Sequence, residues 1–246
     1  MRTAAKYNWM KTGKQVFYDK STYETLQAMY PISFYDDFTG ADVVIPATGA
    51  DESGCKWTKK IVGAAPPTVA AASSTVDGFI LCSLTNADQK QDAALHMDDQ
   101  LCFSLAQDII FEARVAVTTV PTDVAIASWG LWGAWADGGS AYRVGFECIA
   151  GGTVNCECDD NATDTSASSG ETLSASEYHI YRIDCTAQTN IKFYIDGVRV
   201  CATSTFNNAA SAANSKCQPH FGLYKASGTG VGVMSVDYCK IWMNRS

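Results

Sequence analysis

Apolar and polar residues alternate along much of this 246-residue chain, and a period of two marks half-buried antiparallel strands. The clearest stretch runs from Glu177 to Thr203 and holds three short alternating runs, Tyr178–Cys185, Asn190–Ile195 and Val198–Ala202. Asp196-Gly197 separates the last two and predicts a tight hairpin, because both central residues of such a turn need positive φ. Ile109–Thr118 alternates as well, with Phe111, Ala113, Val115 and Val117 on one face and Glu112, Arg114 and Thr118 on the other.

The same reading predicts strands at Phe34–Phe38, Trp57–Val62 and Gly78–Leu84, and a short one at Leu95–Met97 after a polar Asn86–Ala94. Thr68–Thr75 is small and β-tolerant. Val124–Trp135 is apolar and rich in Trp and Gly; strand alternation places Trp129 and Trp135 on one face and Trp132 on the other. Tyr142–Ile149 and Thr153–Cys158 predict a hairpin across Ala150-Gly151-Gly152, and His220–Lys225 and Val231–Met243 predict the last strands. Asp159–Ser176 and Phe206–Lys216 are polar or small-residue stretches and read as loops. No repeat or linker divides residues 33–246, which read as one domain.

Residues 1–32 break the pattern and read as an arm. They mix lysines with Tyr7, Trp9, Phe17, Tyr18 and Tyr23. Ser21-x-x-Glu24 matches a capping box and predicts a short helix that Pro31 stops. Such a segment cannot bury its own aromatic residues, so it is expected to pack on the body or on another chain.

Apolar residues make up 47% of the chain and charged ones 18%, enough for a sizeable core. The net charge of −8 argues against general binding to a nucleic-acid backbone. It divides into +3 over residues 1–30 and −11 over the rest. A basic arm on an acidic body suits docking onto an acidic surface, such as a neighbouring copy, with Lys11 and Lys14 as guides. No apolar leader or membrane-length run is present, so synthesis and folding in the cytosol, with no membrane partner, are expected. The ten cysteines then read as free core thiols. They form no CxxC and no Cys/His ligand spacing, and no metal or cofactor is expected.

Several segments resemble a known family. The run His179-Ile180-Tyr181-Arg182-Ile183-Asp184, then Phe193-Tyr194-Ile195-Asp196-Gly197-Val198, is similar to the late strands of the concanavalin-A-like lectin/glucanase jelly roll, the laminin-G-like family. Ser235–Trp242 resembles its closing strand and Phe34-Tyr35-Asp36-Asp37-Phe38 its first. The resemblance implies an all-β, two-sheet antiparallel jelly-roll sandwich, with the Trp-rich strand lining a concave face.

Candidate chemistry is sparse. Glucanases on this fold carry Glu-x-Asp-x-Glu on one strand, which is absent here. The nearest acidic pair is Glu147 and Glu157 on neighbouring strands, each equally the polar position of an alternating strand. Lyase chemistry would need a His/Tyr or Lys/Tyr arrangement in the groove; His179 and His220 could lie on adjacent strands, but a lone strand histidine is more often a satisfied structural residue. Asp159, Asp160, Asn161 and Asp164 offer calcium-type oxygens without a fixed loop spacing. Trp129, Trp132 and Trp135 could stack on sugar rings, although core and inter-subunit packing is the simpler reading. No phosphate-binding glycine loop is present.

No catalytic set emerges, and a non-enzyme is expected. An aromatic basic arm beside such a sandwich looks like bacteriophage virion proteins. The expectation is a capsid decoration protein, made in the host cytoplasm and carried on the capsid exterior. Its partners would be the major capsid protein and copies of itself, with Tyr7, Trp9, Lys11, Lys14, Phe17, Tyr18 and Tyr23 as arm contacts. The alternative is a lectin-like module that binds host glycan through Trp129 and Trp135.

Overall fold

The alternating runs become the strands of two antiparallel sheets. The computed structural model describes residues 6–9, 15–19, 21–28, 31–39, 45–47, 55–72, 78–209 and 215–245. In chain order the strands are β1 (Lys6–Trp9), β2 (Gln15–Tyr18), β3 (Thr25–Ala28), β4 (Ile32–Asp36), β5 (Thr58–Val62), β6 (Thr68–Ala71) and β7 (Ile80–Ser83). They continue with β8 (Gln91–His96), β9 (Phe103–Ser104), β10 (Ile110–Thr119), β11 (Ile126–Trp132), β12 (Tyr142–Cys148) and β13 (Thr153–Asp160). The last six are β14 (Asp164–Thr172), β15 (Tyr178–Asp184), β16 (Lys192–Ile195), β17 (Val198–Val200), β18 (Lys216–Lys225) and β19 (Val233–Met243). Sheet I has the order β17-β16-β15-β10-β19-β7-β6, with β4 also on β19; sheet II has the order β14-β13-β12-β11-β18-β8-β5, with β9 also on β18.

Aromatic side chains from the two sheets meet and fill the space between them. Trp129 of β11 packs edge-on against Tyr181 of β15, with ring centroids 4.7 Å apart, and Phe146 of β12 meets Phe193 of β16 at 5.2 Å. Phe111, Ala113, Val115 and Val117 all face this core, as the alternation of β10 requires. The result is a jelly-roll sandwich. The Asp196-Gly197 hairpin forms as expected, with φ of 48° and 74° at its two central residues.

Four expectations are corrected. Residues 164–172, read as loop, form the edge strand β14. Its Ser/Thr-rich sequence carries no apolar face because only its backbone, paired with β13, is needed to extend the sheet. The polar stretch before Leu95 is also strand, since β8 begins at Gln91.

The helix expected from Ser21 is instead the turn of a β2–β3 hairpin, within a three-stranded sheet β1-β2-β3. The Asp19 carboxylate accepts from the backbone N–H of Ser21 (2.7 Å) and from that of Thr22 (3.2 Å), so the side chain that organises this segment precedes the presumed cap. Finally, Cys55 and Cys102 are joined in a disulfide rather than free. The two lie 47 positions apart, and only the fold brings them together.

The arm sheet touches the sandwich through its turn. Glu24 accepts from Lys240 Nζ at 2.6 Å. The Tyr23 ring lies over Gly197, where an added Cβ would come within 2.6 Å of it. Lys240 is also 4.0 Å from Glu112, a fully buried carboxylate of β10 that accepts from the Tyr238 hydroxyl.

Candidate functional site

The outer face of sheet II carries most of the buried polar chemistry. Register fixes three cross-strand rows over β12, β13 and β14. Glu147 lies opposite Asn155, which lies opposite Ser168; Gly145 opposite Glu157 opposite Ser166; Arg143 opposite Asp159 opposite Asp164. Side chains in such rows point to one side of the sheet and stand within mutual reach. The apolar partners on the same strands, Val144, Phe146, Val154 and Cys156, point into the core.

Arg143 is the hub. Its guanidinium reaches Asp164 (3.1 Å), Asp159 (3.4 Å), Glu147 (3.9 Å) and Glu157 (4.0 Å), and it donates to the Ser140 carbonyl at 3.2 Å. Its Nε is buried with no hydrogen-bond partner. One cation among four carboxylates leaves the cluster short of positive charge. Burial, with Glu147 adding to it, pushes the Glu157 carboxyl from its ordinary 4.5 up to about 7, against the pull of Ser166 and Arg143. Glu157 is therefore partly protonated near neutrality. Burial likewise raises Glu147.

The other half of this face, over β18, β8 and β5, is roofed by residues 133–140. Trp135 N donates to Asp99 Oδ1 at 2.6 Å, Lys60 lies over the Trp135 ring at 4.9 Å, and Lys90 pairs with Asp137. Under this roof Trp132 stacks flat on His220, with centroids 3.7 Å apart and planes 7° off parallel. Glycine makes the stack possible: a Cβ on Gly222 would meet His220 Nε2 at 2.7 Å. Asp92, beside them, is pushed up to about 7 by burial and by Asp137. His220 is driven well below its usual range by burial and by His96. On the β12–β14 half Asp164, Ser166 and Ser168 are exposed, Arg143, Glu147, Asn155 and Asp159 are half-buried, and Glu157 is buried.

The two tryptophans expected to share a face do not. Trp129 is fully buried in the core, against Phe146 and Tyr181. The strand ends at Trp132, so Trp135 belongs to the roof and escapes the alternation. His179 and His220 lie in different sheets: His179, on β15, pairs with Asp196 at 2.7 Å. Asp159 and Asp160 are occupied by their own turn, accepting from the backbone of Asn161, Ala162 and Thr163 at 2.7–2.9 Å.

Of the arm residues, Tyr7 and Trp9 fall on β1 and Phe17 and Tyr18 on β2, where only the backbone is described. Lys11 and Lys14 lie outside the described residues. Tyr23 is 43% exposed despite its contact with Gly197.

Arg143, Ser166 and Asp92 were not singled out as site residues from the sequence. The signal was available for Arg143: the hairpin across residues 150–152 fixes the register and puts it on the face of Glu147 and Glu157.

Residues 79–237 match the family described as SO2946-like, C-terminal domain. The chain belongs to that family. No curated protein matches it in sequence. Among solved structures, the protein of unknown function SO2946 from Shewanella oneidensis MR-1 aligns with a TM-score of 0.57 at 14% identity, over 85% of each chain. A pseudo beta-1,3-glucanase and immunostimulatory antigen of Mycobacterium tuberculosis aligns at 0.56 and 14% identity, over 86% of this chain and 98% of that one. A Bacteroides ovatus mixed-linkage glucan GH16 protein, in complex with a G4G4G3G product, aligns at 0.54 and 16% identity, over 85% and 99%. At these identities the likeness establishes the concanavalin-A-like jelly roll that the SO2946-like chain shares with glucanases.

Proposed function

We propose that this SO2946-like protein binds a neutral carbohydrate along the exposed β14 edge of the β12–β14 half of sheet II and does not cleave it. The observation that carries the reading is the Arg143 cluster, one guanidinium among four carboxyls, with Glu157 pushed up to about 7. Sugar hydroxyls both donate and accept, and this shelf offers acceptors (Glu147, Glu157, Asp164) interleaved with donors (Arg143, Asn155, Ser166, Ser168). An anionic sugar would face Glu147, Asp159, Asp164 and a partly protonated Glu157 against one arginine and is disfavoured.

Hydrolysis is disfavoured by the same geometry. A retaining pair needs two carboxyls free to reach one glycosidic bond from either side. Here the guanidinium sits at 3.9 and 4.0 Å from the pair, and Glu157 is held by Ser166. Calorimetric titration of the full chain with neutral β-glucan oligosaccharides tests the proposal. Binding weakened by Asn155→Ala and Ser168→Ala, without release of reducing ends, is expected. Release of reducing ends would overturn the non-catalytic reading, and absence of binding to every neutral glycan would overturn the site.

Capsid decoration is a second proposal, favoured by the arm alone. The arm forms its own sheet, and an edge strand such as β1 can accept a strand from a neighbour. In this reading the arm joins the major capsid protein and copies of the chain on a virion exterior. Deleting residues 1–31 should then leave a folded sandwich that no longer enters particles, whereas incorporation of the truncated chain would sink it.

A further inference from the structure

We propose that Cys156 and Cys201 are a second disulfide site, which closes the β17/β14 margin of the sandwich when the protein meets a small-molecule or protein disulfide. The two sulfurs are 3.0 Å apart, about 1 Å beyond the bond length of about 2.05 Å. Their residues come from different sheets: Cys156 lies in β13 of sheet II, and Cys201 directly follows β17, the edge strand of sheet I.

Cys201 is held in place for this contact. Its backbone has φ of 52°, and its Sγ lies 3.4 and 3.3 Å from the carbonyls of Ala167 and Ser168 on β14. Cys201 is partly exposed, whereas Cys156 is fully buried. That asymmetry sets the order of events. The Cys201 thiolate attacks an external disulfide RSSR, forming Cys201–S–S–R and releasing one RSH after protonation. Cys156 then attacks the Cys201 sulfur, loses its proton, and displaces the second RSH. Two thiols are oxidised, one disulfide is reduced, and the external disulfide is the only oxidant required. Burial raises the Cys156 thiol and its neighbour Cys201 adds to it, so the second step is the slow one.

The placement gives the bond a structural consequence. Cys55–Cys102 already ties the chain beside β5, at one margin of sheet II. A Cys156–Cys201 bond would tie the opposite margin, where the Cys201 sulfur already lies against the β14 backbone. The remaining free thiols, Cys82, Cys148, Cys158, Cys185, Cys217 and Cys239, are all buried.

The test is incubation of the full chain with oxidised glutathione, then thiol counting after denaturation and peptide mapping without reductant. The eight free thiols should fall to six, with a cross-linked peptide joining Cys156 to Cys201. Cys156→Ser should stop at a stable glutathione adduct on Cys201, and Cys201→Ser should take up no glutathione. The oxidised wild type should also unfold at higher urea than the reduced form. A count that stays at eight, or an adduct on Cys201 that wild-type Cys156 never resolves, would overturn the proposal.

Discussion

Glu157→Gln measures what the acidic shelf costs the fold. In the folded protein burial holds this carboxyl near 7 instead of 4.5. Each pH unit of difference is worth about 1.4 kcal/mol, so the ionised form costs on the order of 3 kcal/mol at high pH. The sign follows from the raised value. Between 4.5 and 7 the folded chain holds a proton that the unfolded chain has released, so stability is greatest in acid, declines up to about 7, and is flat beyond. Glutamine carries no charge and its amide oxygen still accepts from Ser166.

Urea unfolding of wild type and variant, at about pH 5 and about pH 8.5, isolates the effect. The stability difference between them should move by about 2 to 3 kcal/mol in favour of the variant on going to the higher pH. The comparison must be differential, because Asp92 acts with the same sign and the buried His96 and His220 with the opposite one. Parallel profiles, with a change below about 0.5 kcal/mol, would refute the claim that Glu157 is buried with its proton.

Other substitutions probe the frame that holds the shelf. Lys225 is fully buried and donates to the carbonyls of Thr85, Ala87 and Gly230 at 2.7–2.9 Å. Lys225→Met strands all three acceptors and should cost about 3 to 5 kcal/mol in chemical denaturation. Gly130 has φ of 152°, and a Cβ there would lie 2.4 Å from the Val144 carbonyl oxygen; Gly130→Ala should lower stability by at least about 2 kcal/mol in the same assay. Cys102→Ser opens a cross-link spanning 47 positions and should cost about 2 to 4 kcal/mol, read as a lower melting temperature under non-reducing conditions.

Where side chains alternate strongly, local chemistry and tertiary need agreed. Phe111 to Val117, the Asp196-Gly197 turn and the β12–β13 hairpin were legible for that reason, and with them the sandwich. The placement of Glu147 and Glu157 on neighbouring strands followed from the hairpin turn. Strand β14 was not legible, because an edge strand needs backbone partners rather than an apolar face. The Ser21 capping box failed because, in a hairpin turn, the Ser21 N–H goes to the Asp19 carboxylate and the Glu24 N–H to Thr22 Oγ1.

The amino-acid sequence by itself thus determined the fold class and the core face of β10, since each depends on the order of residues within a short window. Only the tertiary structure decided which polar residues share an environment. It sent Trp129 inward and Trp135 into the roof, joined Cys55 to Cys102, brought Cys201 against Cys156, and set Arg143 among four carboxylates. Those outcomes depend on register, strand ends and burial, which are properties of the assembled sheets and of the solvent they exclude.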